Sequence, residues 1–366
     1  MTRAAGLVAA LAAILLSASC TRKEAEKLTF FQLNLWEGLA NVEDGYQILE
    51  DQVVALLPDV ASFCEFPMQG EEGREEPSAE YILGKLIAGI KSRTGVEYYK
   101  TSMQGRGTRG ILTKHKIVEG ASEVPSAAPP GHQEWFYRTV IDFGGREIAV
   151  YSSHATADHY SCYLPRGYGD GSAPYGWNKL AGGPVTDPDT ILYRDGLSDR
   201  RQLAEDLVAD ALRQSALGRL CIFGGDLNQP SHLDWTEATD GLFDHRGAVI
   251  PWSISTTLLQ TGFKDAWREA WPDPVANPGI TWPVYNKDAL KPTAWAPEAD
   301  ERDRIDFVYY LADDSITVEE AQMVGPASTV LYGKQDRPDE GTVLPAINRW
   351  CSDHRGLLVT FSISSK

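Results

Sequence analysis

The chain carries a compact group of chemically useful residues near its middle, in the segment 224–229 with the sequence GGDLNQ. This segment follows the apolar run 220–223, which predicts a buried strand. Asp226 and Asn228 are separated by one residue, and in an extended backbone this spacing places both side chains on the same face. A carboxylate beside a carboxamide is suited to holding a hydrated cation or a phosphate. The pattern is also typical of a strand that ends in an Asx-rich turn, so the segment alone leaves both interpretations open.

Polar residues also stand at the ends of other apolar runs along the chain. For any one of them, a solvated strand edge or a satisfied structural side chain is a sufficient explanation. Gathered at one rim, however, these groups would cost several kcal/mol to desolvate unless they bound something. The sequence therefore predicts a single polar site built from Asn34, Glu65, His154 and Asp226 at strand ends, Asp306 within a strand, and Asp353 with His354 before the last strand.

Strands and helices alternate around these residues. The spacing of apolar residues predicts helices over 44–57 and 198–217. The runs 139–143 and 146–153, joined by two glycines, predict a β-hairpin, and a further strand is predicted to begin at Thr281. This alternation, with polar residues at strand ends, predicts an α/β fold, a four-layer α/β sandwich of two packed mixed β-sheets flanked by helices.

Two long irregular segments interrupt the alternation, at about 155–195 and 230–260. The first is rich in glycine, proline and tyrosine, and loops of this length within a compact domain are usually functional or disordered. Its aromatic residues favour an ordered lid, and packing of the tyrosines is favoured over stacking on a substrate. The second contains His232 and His245, which lack the support of a motif and are predicted to be insertion or surface residues.

The first residues differ in composition from the rest. Arg3 precedes an apolar run at 7–16, which is too short for a stable transmembrane helix and predicts a secretory signal. The stretch 16–20, LSASC, is similar to a bacterial lipobox, although its leucine lies one position further from the cysteine than usual. Cys20 would then be the lipidated first residue of the mature chain, and ordinary signal-peptide cleavage is the alternative. We therefore predict a signal peptide at 1–20, a polar tether at 21–27 and one globular domain at 28–366.

The charge of the chain bears on its partners. There are 34 Lys and Arg against 51 Asp and Glu, which gives a formal net charge of -17 at pH 7. Polyanion binding depends mainly on basic side chains that release counterions, so on average this surface repels nucleic acid.

Four cysteines remain besides Cys20. An exported protein can pair its cysteines. However, Cys64 and Cys221 lie in apolar runs that are typical of buried thiols. No bridge is predicted among Cys64, Cys162, Cys221 and Cys351.

Taken in order, the motifs across residues 28–363 resemble those of the endonuclease/exonuclease/phosphatase superfamily, which has a deoxyribonuclease I-like fold. Any one motif is weak, and their succession carries the resemblance. The two insertions depart from the pattern and leave the substrate open. The matching segments are Asn34 after a strand, Pro58-Asp59-Val60 leading to Glu65, Ser153-His154, Gly225-Asp226-Leu227-Asn228, Arg304-Ile305-Asp306-Phe307 and Ser352-Asp353-His354.

The resemblance implies a metal site. Glu65, helped by Asn34, would bind Mg2+, with Mn2+ as the alternative ion. Oxygen ligands at an open rim suit a hard cation that keeps several of its waters. Asp353 would be a second metal contact or a hydrogen-bond partner, and the number of ions, one or two, stays open.

The resemblance also implies a phosphoester hydrolase. His354 would accept a proton from the attacking water, because a histidine pKa near 6.5 suits a base at neutral pH. Asp306 would accept a hydrogen bond from the other ring nitrogen of His354. The remaining roles are orientation of water and phosphate by Asp226 and Asn228, and donation to the charge on the phosphoryl oxygens by His154.

Three functions follow as expectations. The first is an extracytoplasmic, metal-dependent phosphoesterase that hydrolyses a phosphodiester or phosphomonoester by in-line attack of water; the acidic net charge favours a substrate other than nucleic acid. The second is an endonuclease or exonuclease on DNA or RNA, and the third is a non-catalytic binding lipoprotein with a broken catalytic set. We expect a monomer, exported and lipid-anchored at the bacterial cell envelope, on its periplasmic or outer surface. Arg109 and Arg138 are further candidates for contacting the phosphate.

Overall fold

The computed structural model of the chain describes residues 25–66, 78–103, 109–127, 136–338, 343–345 and 349–364. Its strands are β1 (Glu26–Asn34), β2 (Val60–Cys64), β3 (Tyr99–Ser102), β4 (Gly110–Thr113), β5 (Lys116–Glu123), β6 (Phe136–Phe143), β7 (Arg146–His154), β8 (Leu220–Asp226), β9 (Phe263–Asp265), β10 (Asp306–Leu311), β11 (Ile316–Gly325), β12 (Val330–Leu331), β13 (Lys334–Gln335), β14 (Val343–Pro345) and β15 (Gly356–Ile363). Its helices are α1 (Gly45–Leu56), α2 (Ala79–Thr94), α3 (Pro188–Asp195), α4 (Arg200–Ala216), α5 (Ser253–Gln260) and α6 (Ala266–Ala270).

The strands form two large mixed sheets and one small hairpin. The first sheet has the order β14-β11-β15-β1-β2-β4-β3, and the second has the order β5-β6-β7-β8-β10-β9. Each contains a central parallel pair, β1 with β2 in the first sheet and β7 with β8 in the second. The hairpin of β12 and β13 stands apart from both sheets.

Alternate residues of each central strand face opposite layers. In β1, Leu28 and Phe30 belong to a buried cluster with Val150, Ile222 and Val308 of the second sheet, so this cluster fills the space between the sheets. The period of two follows from the pleat, which points successive side chains to opposite faces. Each large apolar side chain buried in this way contributes roughly 1.5–3 kcal/mol to the stability of the fold.

Helices cover the outer face of each sheet. Phe31 and Leu33, the other alternate residues of β1, lie in a buried cluster with the apolar faces of α1 and α2. On the far side, Leu207 of α4 and Leu258 of α5 join a cluster with Phe223 of β8. The resulting order of helices, sheet, sheet and helices confirms the predicted four-layer α/β sandwich.

The first sheet brings three polar residues to one edge. Asn34, the last residue of β1, pairs in parallel with Cys64, the last residue of β2, so Glu65 follows directly beside it. β15 runs antiparallel to β1 and begins two residues after His354. The chain therefore delivers His354 to the edge where β1 and β2 end.

In the second sheet, polar residues also lie at the edge where the two parallel strands end. His154 and Asp226, the last residues of β7 and β8, are paired in the parallel register. Asp306 is paired with Asp226 across the antiparallel β10. It is thus the first residue of its strand and not, as predicted, a residue inside it.

Several predicted boundaries agree with the structure and others shift by a few residues. The predicted hairpin is present as β6 and β7, with the two glycines between them. β1 begins at Glu26, which lies within the predicted tether 21–27. α1 and α4 lie within the predicted ranges 44–57 and 198–217.

The strand predicted to begin at Thr281 does not form. Among the described residues, Trp282 makes only an isolated bridge with Asp303. Pro283 follows, and proline cannot donate a hydrogen bond to a ladder. This prediction was wrong because the proline interrupts the apolar run and prevents a regular strand.

The first insertion is packed into a buried aromatic cluster, as expected for an ordered segment. Tyr160, Tyr163 and Tyr168 are buried in a cluster with Trp235 and Trp252 of the second insertion. The segment is tied to α4 because the buried guanidinium of Arg200 donates to the backbone carbonyls of Thr156, Asp158 and His159.

The second insertion contributes to the same buried cluster. His245, predicted as an insertion or surface residue, is buried, and its ring stacks on Trp235 with 3.7 Å between the ring centroids. Burial lowers the pKa of His245 to about 2, so this ring is neutral.

The described part of the chain bears on the cysteines and on membrane association. Cys64, Cys162, Cys221 and Cys351 are all buried free thiols. Within the described ranges, no helix is both long and apolar enough to span a membrane. The predicted signal peptide and Cys20 lie outside the described residues.

Candidate active site

Asn34 joins two carboxylates that come from different sheets. Its Nδ2 lies 2.9 Å from Glu65 Oε1 and 2.9 Å from Asp226 Oδ2. Asn34 and Asp226 are buried, whereas the side chain of Glu65 is partly open to solvent. The amide therefore holds both carboxylates around one small space at the common edge of the sheets.

His354 forms a hydrogen-bonded pair with Asp306. Its Nδ1 lies 2.8 Å from Asp306 Oδ2, and because an ionised carboxylate only accepts, Nδ1 carries the proton and donates. The other ring nitrogen, Nε2, lies 3.9 Å from Asp226 Oδ2 and 3.7 Å from Asp353 Oδ1. Asp306 thus selects the tautomer in which Nε2 can accept a proton.

Ser352 fixes the position of the segment that carries His354. Its Oγ donates to the carbonyl of Asn34 at 2.7 Å and accepts from the backbone N–H of His354 at 3.1 Å. The segment 352–354 is therefore fixed to the end of β1 by the hydroxyl of its first residue.

His154 and Asn228 lie next to the Glu65 carboxylate. His154 Nε2 is 3.3 Å from Glu65 Oε1 and 3.2 Å from Asn228 Nδ2. Asn228 also donates from Nδ2 to the Ala155 carbonyl and from its backbone N–H to Asp226 Oδ1. These bonds bring both predicted residues to the same place as the carboxylates.

Asp353 and Asp306 each keep one buried oxygen without a hydrogen bond. Asp353 Oδ2 accepts from Trp282 Nε1 at 3.1 Å, whereas Asp353 Oδ1 and Asp306 Oδ1 have no hydrogen-bond partner. Buried polar atoms nearly always have partners. These oxygens are therefore suited to a bound cation or its water.

Two of the predicted site residues, like Trp36 and Glu37 in the cavity wall, have a left-handed backbone. Glu65 has φ 58° and Asn228 has φ 44°, a conformation that costs a non-glycine residue on the order of 1–3 kcal/mol. Strain of this kind persists where the surrounding contacts fix the residue, and here Glu65 accepts a hydrogen bond from Asn34 whereas Asn228 donates one to the carbonyl of Ala155.

The pKa values of the carboxyl groups in the site are shifted in different directions. Burial raises the pKa of Asp226 to about 6, and the charge of Asp306 adds to this while both histidines oppose it. Burial also raises the pKa of Asp353 to about 7. Burial acts on Glu65 in the same direction, but the hydrogen bond and charge of His154 outweigh it, so the pKa of Glu65 is lowered.

The same carboxylates act on the histidines. Burial would lower the pKa of His354, but the charges of Asp306 and Asp353 outweigh it and raise this pKa to about 10. Burial also opposes the charged form of His154, and Glu65 overcomes it, so the pKa of His154 is raised. A divalent cation among these carboxylates would compete with both imidazolium charges and lower both pKa values.

A cavity of about 150 Å³ opens above this edge. Most of the predicted polar site residues line it, while Asn34 and Asp306 stand behind them and hold them in place. The polar residues in its wall are Glu37, Glu65, His154, Asp226, Asn228, Asp353 and His354, and the aromatic ones are Trp36, Tyr160, Tyr163, Trp177, Trp282 and Trp295.

The other basic candidates do not face the cavity. Arg138 is bound to Asp210, with 2.7 Å between Nη1 and Oδ2. Arg109 donates to the backbone carbonyl of His154 and so supports the end of β7. His232 Nδ1 lies 2.9 Å from Ser255 Oγ. None of these three residues is among those that line the cavity, and the phosphate contacts of Arg109 and Arg138 stay predictions.

The segment of the chain that contains these residues matches a known protein family. Residues 31–354 match the sequence profile described as the Endonuclease/Exonuclease/phosphatase family, and the match spans all the polar site residues. The chain belongs to the endonuclease/exonuclease/phosphatase family.

Relatives of this family member occur among known sequences and solved structures. It is 29% identical over 280 residues to the "Uncharacterized protein F14F9.5" of Caenorhabditis elegans, and the match covers 76% of each chain. The endonuclease/exonuclease/phosphatase from Beutenbergia cavernae DSM 12333 has a TM-score of 0.51 at 15% identity, covering 92% of this chain and 72% of that one. The human Nocturnin catalytic domain with bound sulfate anion has a TM-score of 0.48 at 14% identity, covering 93% and 97%. The Beutenbergia structure supports the fold.

The family's chemistry fits the residues present. Endonuclease/exonuclease/phosphatase enzymes hydrolyse phosphoesters and generally depend on a divalent metal. Two sets of side chains place their ligand atoms within 4.8 Å of one another, Glu65 with His154 and Asp226, and Asp226 with Asp306 and His354. These mainly oxygen donors, with the unpartnered oxygen of Asp353, are the type that a hard divalent cation takes.

The aromatic wall of the cavity was not predicted as part of the site. Trp36 follows Asn34 by two residues, and this closeness to a predicted ligand is a signal that could have indicated it. Trp282 and Trp295 lie in irregular segments without periodicity, and nothing in the sequence pattern indicates their position. The tyrosines of the first insertion do pack, as predicted, and two of them also line the cavity.

Proposed function

We propose that this family member is a divalent-metal-dependent phosphoesterase that hydrolyses a phosphodiester or phosphomonoester by in-line attack of water. One observation supports the proposal above the others. Glu65, Asp226 and His354, which are far apart along the chain, line one small cavity at the common edge of two sheets. Their neighbours Asn34 and Asp306 hold them there by hydrogen bonds.

The carboxylates supply the place for the ion. Glu65, Asp226 and Asp353 would hold Mg2+ or Mn2+, with Asn34 orienting the first two. When bound, the metal neutralises charge on the phosphoryl oxygens and supports the departing oxygen.

The histidines and amides supply the proton transfer and the orientation. His354 takes a proton from the attacking water at Nε2, and Asp306 holds the ring and stabilises the imidazolium that results. His154 and Asn228 stand side by side and donate to the phosphoryl oxygens, where negative charge builds in the transition state.

We propose a substrate other than nucleic acid. Among the described residues that line the cavity there is no Lys or Arg, and the chain has a net charge of -17. A nuclease would need basic side chains that follow the phosphate backbone. A nuclease activity on DNA or RNA remains the alternative within this family. A non-catalytic binding protein is disfavoured because all the expected polar positions are filled.

Turnover of a generic ester tests the proposal. We expect the purified protein to hydrolyse bis-(p-nitrophenyl) phosphate in the presence of Mg2+ or Mn2+, and to lose this activity when EDTA removes the ion. Release of p-nitrophenolate measures the rate. Absence of turnover with either metal would contradict the proposal, and efficient nicking of plasmid DNA at physiological salt would replace it with the nuclease alternative.

We also infer that the chain is exported and anchored by a lipid on Cys20. The basic start, the short apolar run and the small residues before Cys20 support this. A lipid anchor would place the phosphoesterase domain at the surface of the cell envelope without a spanning helix.

Labelling with radioactive palmitate during expression in a bacterium tests the anchor. We expect the label to be incorporated into the natural chain and to be absent from Cys20→Ser. A natural chain without label, or equal labelling of both proteins, would show that Cys20 carries no lipid.

A further inference from the structure

Five aromatic rings form a continuous row from the candidate base to the solvent. Trp282 lies 6.3 Å from the ring of His354 and 6.3 Å from Tyr160, measured between ring centroids. Trp177 follows at 6.4 Å from Tyr160, and Trp295 at 5.4 Å from Trp177. We call this row, with Tyr163, the aromatic ladder, and all its members line the cavity: Trp282, Tyr160, Tyr163, Trp177 and Trp295.

Buried hydrogen bonds hold the ladder in place at both ends. Trp282 donates from its indole to Asp353 at the polar site. Glu301 is buried and accepts from the Tyr163 hydroxyl and from the backbone N–H of Trp295. The outer ring, Trp295, is 49% exposed. The backbone of Trp295 is fixed by this hydrogen bond and its indole packs on Trp177, so a half-exposed ring at the cavity mouth is suited to contact with a ligand.

Carboxylates are the main charged groups around the ladder, and the imidazoles of His154 and His354 are the basic groups beside them among the described lining residues. Glu37, Glu65, Asp226 and Asp353 line the same cavity, and no Lys or Arg does so among the described residues. The face of an aromatic ring is also negative and attracts cations. The ester phosphate would be balanced by the metal, so the organic part of the substrate would meet an environment that favours positive charge.

The chain itself already places an ammonium group on this wall. Lys291 Nζ lies 5.4 Å from the centroid of the Trp36 ring and 2.8 Å from Glu37 Oε1. Trp36 and Glu37 both line the cavity, whereas Lys291 contacts them from outside it. This contact shows that a ring and a carboxylate of the rim bind an alkylammonium in this geometry.

We infer that the aromatic ladder binds the organic group of the phosphate ester, and that this group carries an ammonium of the choline or ethanolamine type. The inference rests on the proposed phosphoesterase function and adds its substrate class. A nucleobase would also stack on such rings, but it is neutral and would gain only hydrogen bonds from the carboxylates, without an attraction between opposite charges. The ammonium ester gains from both the rings and the charges.

A pair of substrates that differ by one atom tests the inference. The first is p-nitrophenyl phosphocholine, and the second is its 3,3-dimethylbutyl analogue, in which carbon replaces the quaternary nitrogen. We expect kcat/KM to be roughly tenfold higher for the choline ester, because a desolvated cation over several rings is favoured by about this factor. Equal kcat/KM values would overturn the inference, as would a preference for thymidine 5'-p-nitrophenyl phosphate, which would assign the ladder to a nucleobase.

Variants of the outer ring connect the preference to the ladder. Trp295→Leu is expected to lower the choline preference several-fold, and Trp295→Phe to retain most of it. Tyr193→Leu is the matched control, because Tyr193 is exposed and does not line the cavity; it should leave the preference unchanged. A preference that survives in Trp295→Leu would overturn the role of the ladder.

Two further comparisons distinguish failure of the proposed function from failure of this inference, and a soluble ester from a lipid. If neither bis-(p-nitrophenyl) phosphate nor any of the three esters is hydrolysed with Mg2+ or Mn2+, the proposed function is contradicted. Turnover without a preference for the choline ester would contradict only the inference about the substrate class. Hydrolysis of glycerophosphocholine would assign the ammonium to a soluble ester. Hydrolysis of phosphatidylcholine vesicles in its place would assign it to a lipid headgroup.

Discussion

Replacing His354 with glutamine is expected to lower kcat for bis-(p-nitrophenyl) phosphate by roughly 100- to 10,000-fold, the range that general-base catalysis contributes. The glutamine amide can still donate to Asp306, so the buried carboxylate keeps a partner. It cannot accept a proton from water, so the chemical step loses its base. The measurement is kcat at saturating metal, with the melting temperature recorded as a check on folding.

His232→Gln is the matched control for this variant. His232 lies four residues beyond Asn228 and is bonded to Ser255, and it does not line the cavity. Its replacement should leave kcat within about twofold of the natural protein, because surface and peripheral changes alter such sites little. A His354→Gln protein that keeps kcat within tenfold of the natural protein would remove His354 from the mechanism.

Replacing Glu65 with glutamine is expected to lower metal-dependent turnover by at least roughly 100-fold, since even residues behind a metal ligand commonly cost 10- to 100-fold. The substitution keeps the size of the side chain and removes the charge that attracts the ion. The metal concentration at half-maximal activity should rise accordingly. Mg2+ should raise the melting temperature of the natural protein, because a ligand stabilises the state that binds it, and this increase should be lost in Glu65→Gln.

Glu97→Gln is the control for the change of charge. Glu97 is exposed and paired with Lys91 on the surface, so its loss should alter neither the metal dependence nor the melting temperature by much. If Glu65→Gln keeps the same metal dependence as Glu97→Gln, then Glu65 is not a ligand.

The polar part of the site was predictable because sheet topology concentrates strand ends. Asn34, Glu65, His154 and Asp226 each end an apolar strand, and the two parallel pairs carry those ends to one edge. The type and position of these four residues therefore predicted that they would lie close together, whereas the roles of the site residues came from the resemblance to a known family. The four-layer order followed in the same way from apolar strands alternating with amphipathic helices.

The aromatic part was not predictable, because irregular segments position it. Trp282 and Trp295 are held by side-chain hydrogen bonds to Asp353 and by the backbone contact with Glu301. These contacts join residues that are distant along the chain or lie in segments without a periodic apolar pattern. No local sequence pattern therefore predicts them. The left-handed backbone of Glu65 escapes prediction for the same reason, since its neighbours in space impose it.

Positions that looked free in the sequence turned out to be structural. Arg138, a candidate phosphate contact, is needed by the buried carboxylate of Asp210. His245 is buried against Trp235. In both cases the deciding partner lies in an element far along the chain, and only the packed fold reveals it.

The anomalous diffraction signal of Mn2+ in crystals of the protein tests the central claim most directly. We expect one peak within about 2.5 Å of the Glu65 carboxylate, on the cavity side between Asp226 and Asp353, and no such peak in Glu65→Gln. A Mn2+ peak elsewhere, or none at a concentration that supports turnover, would contradict the account.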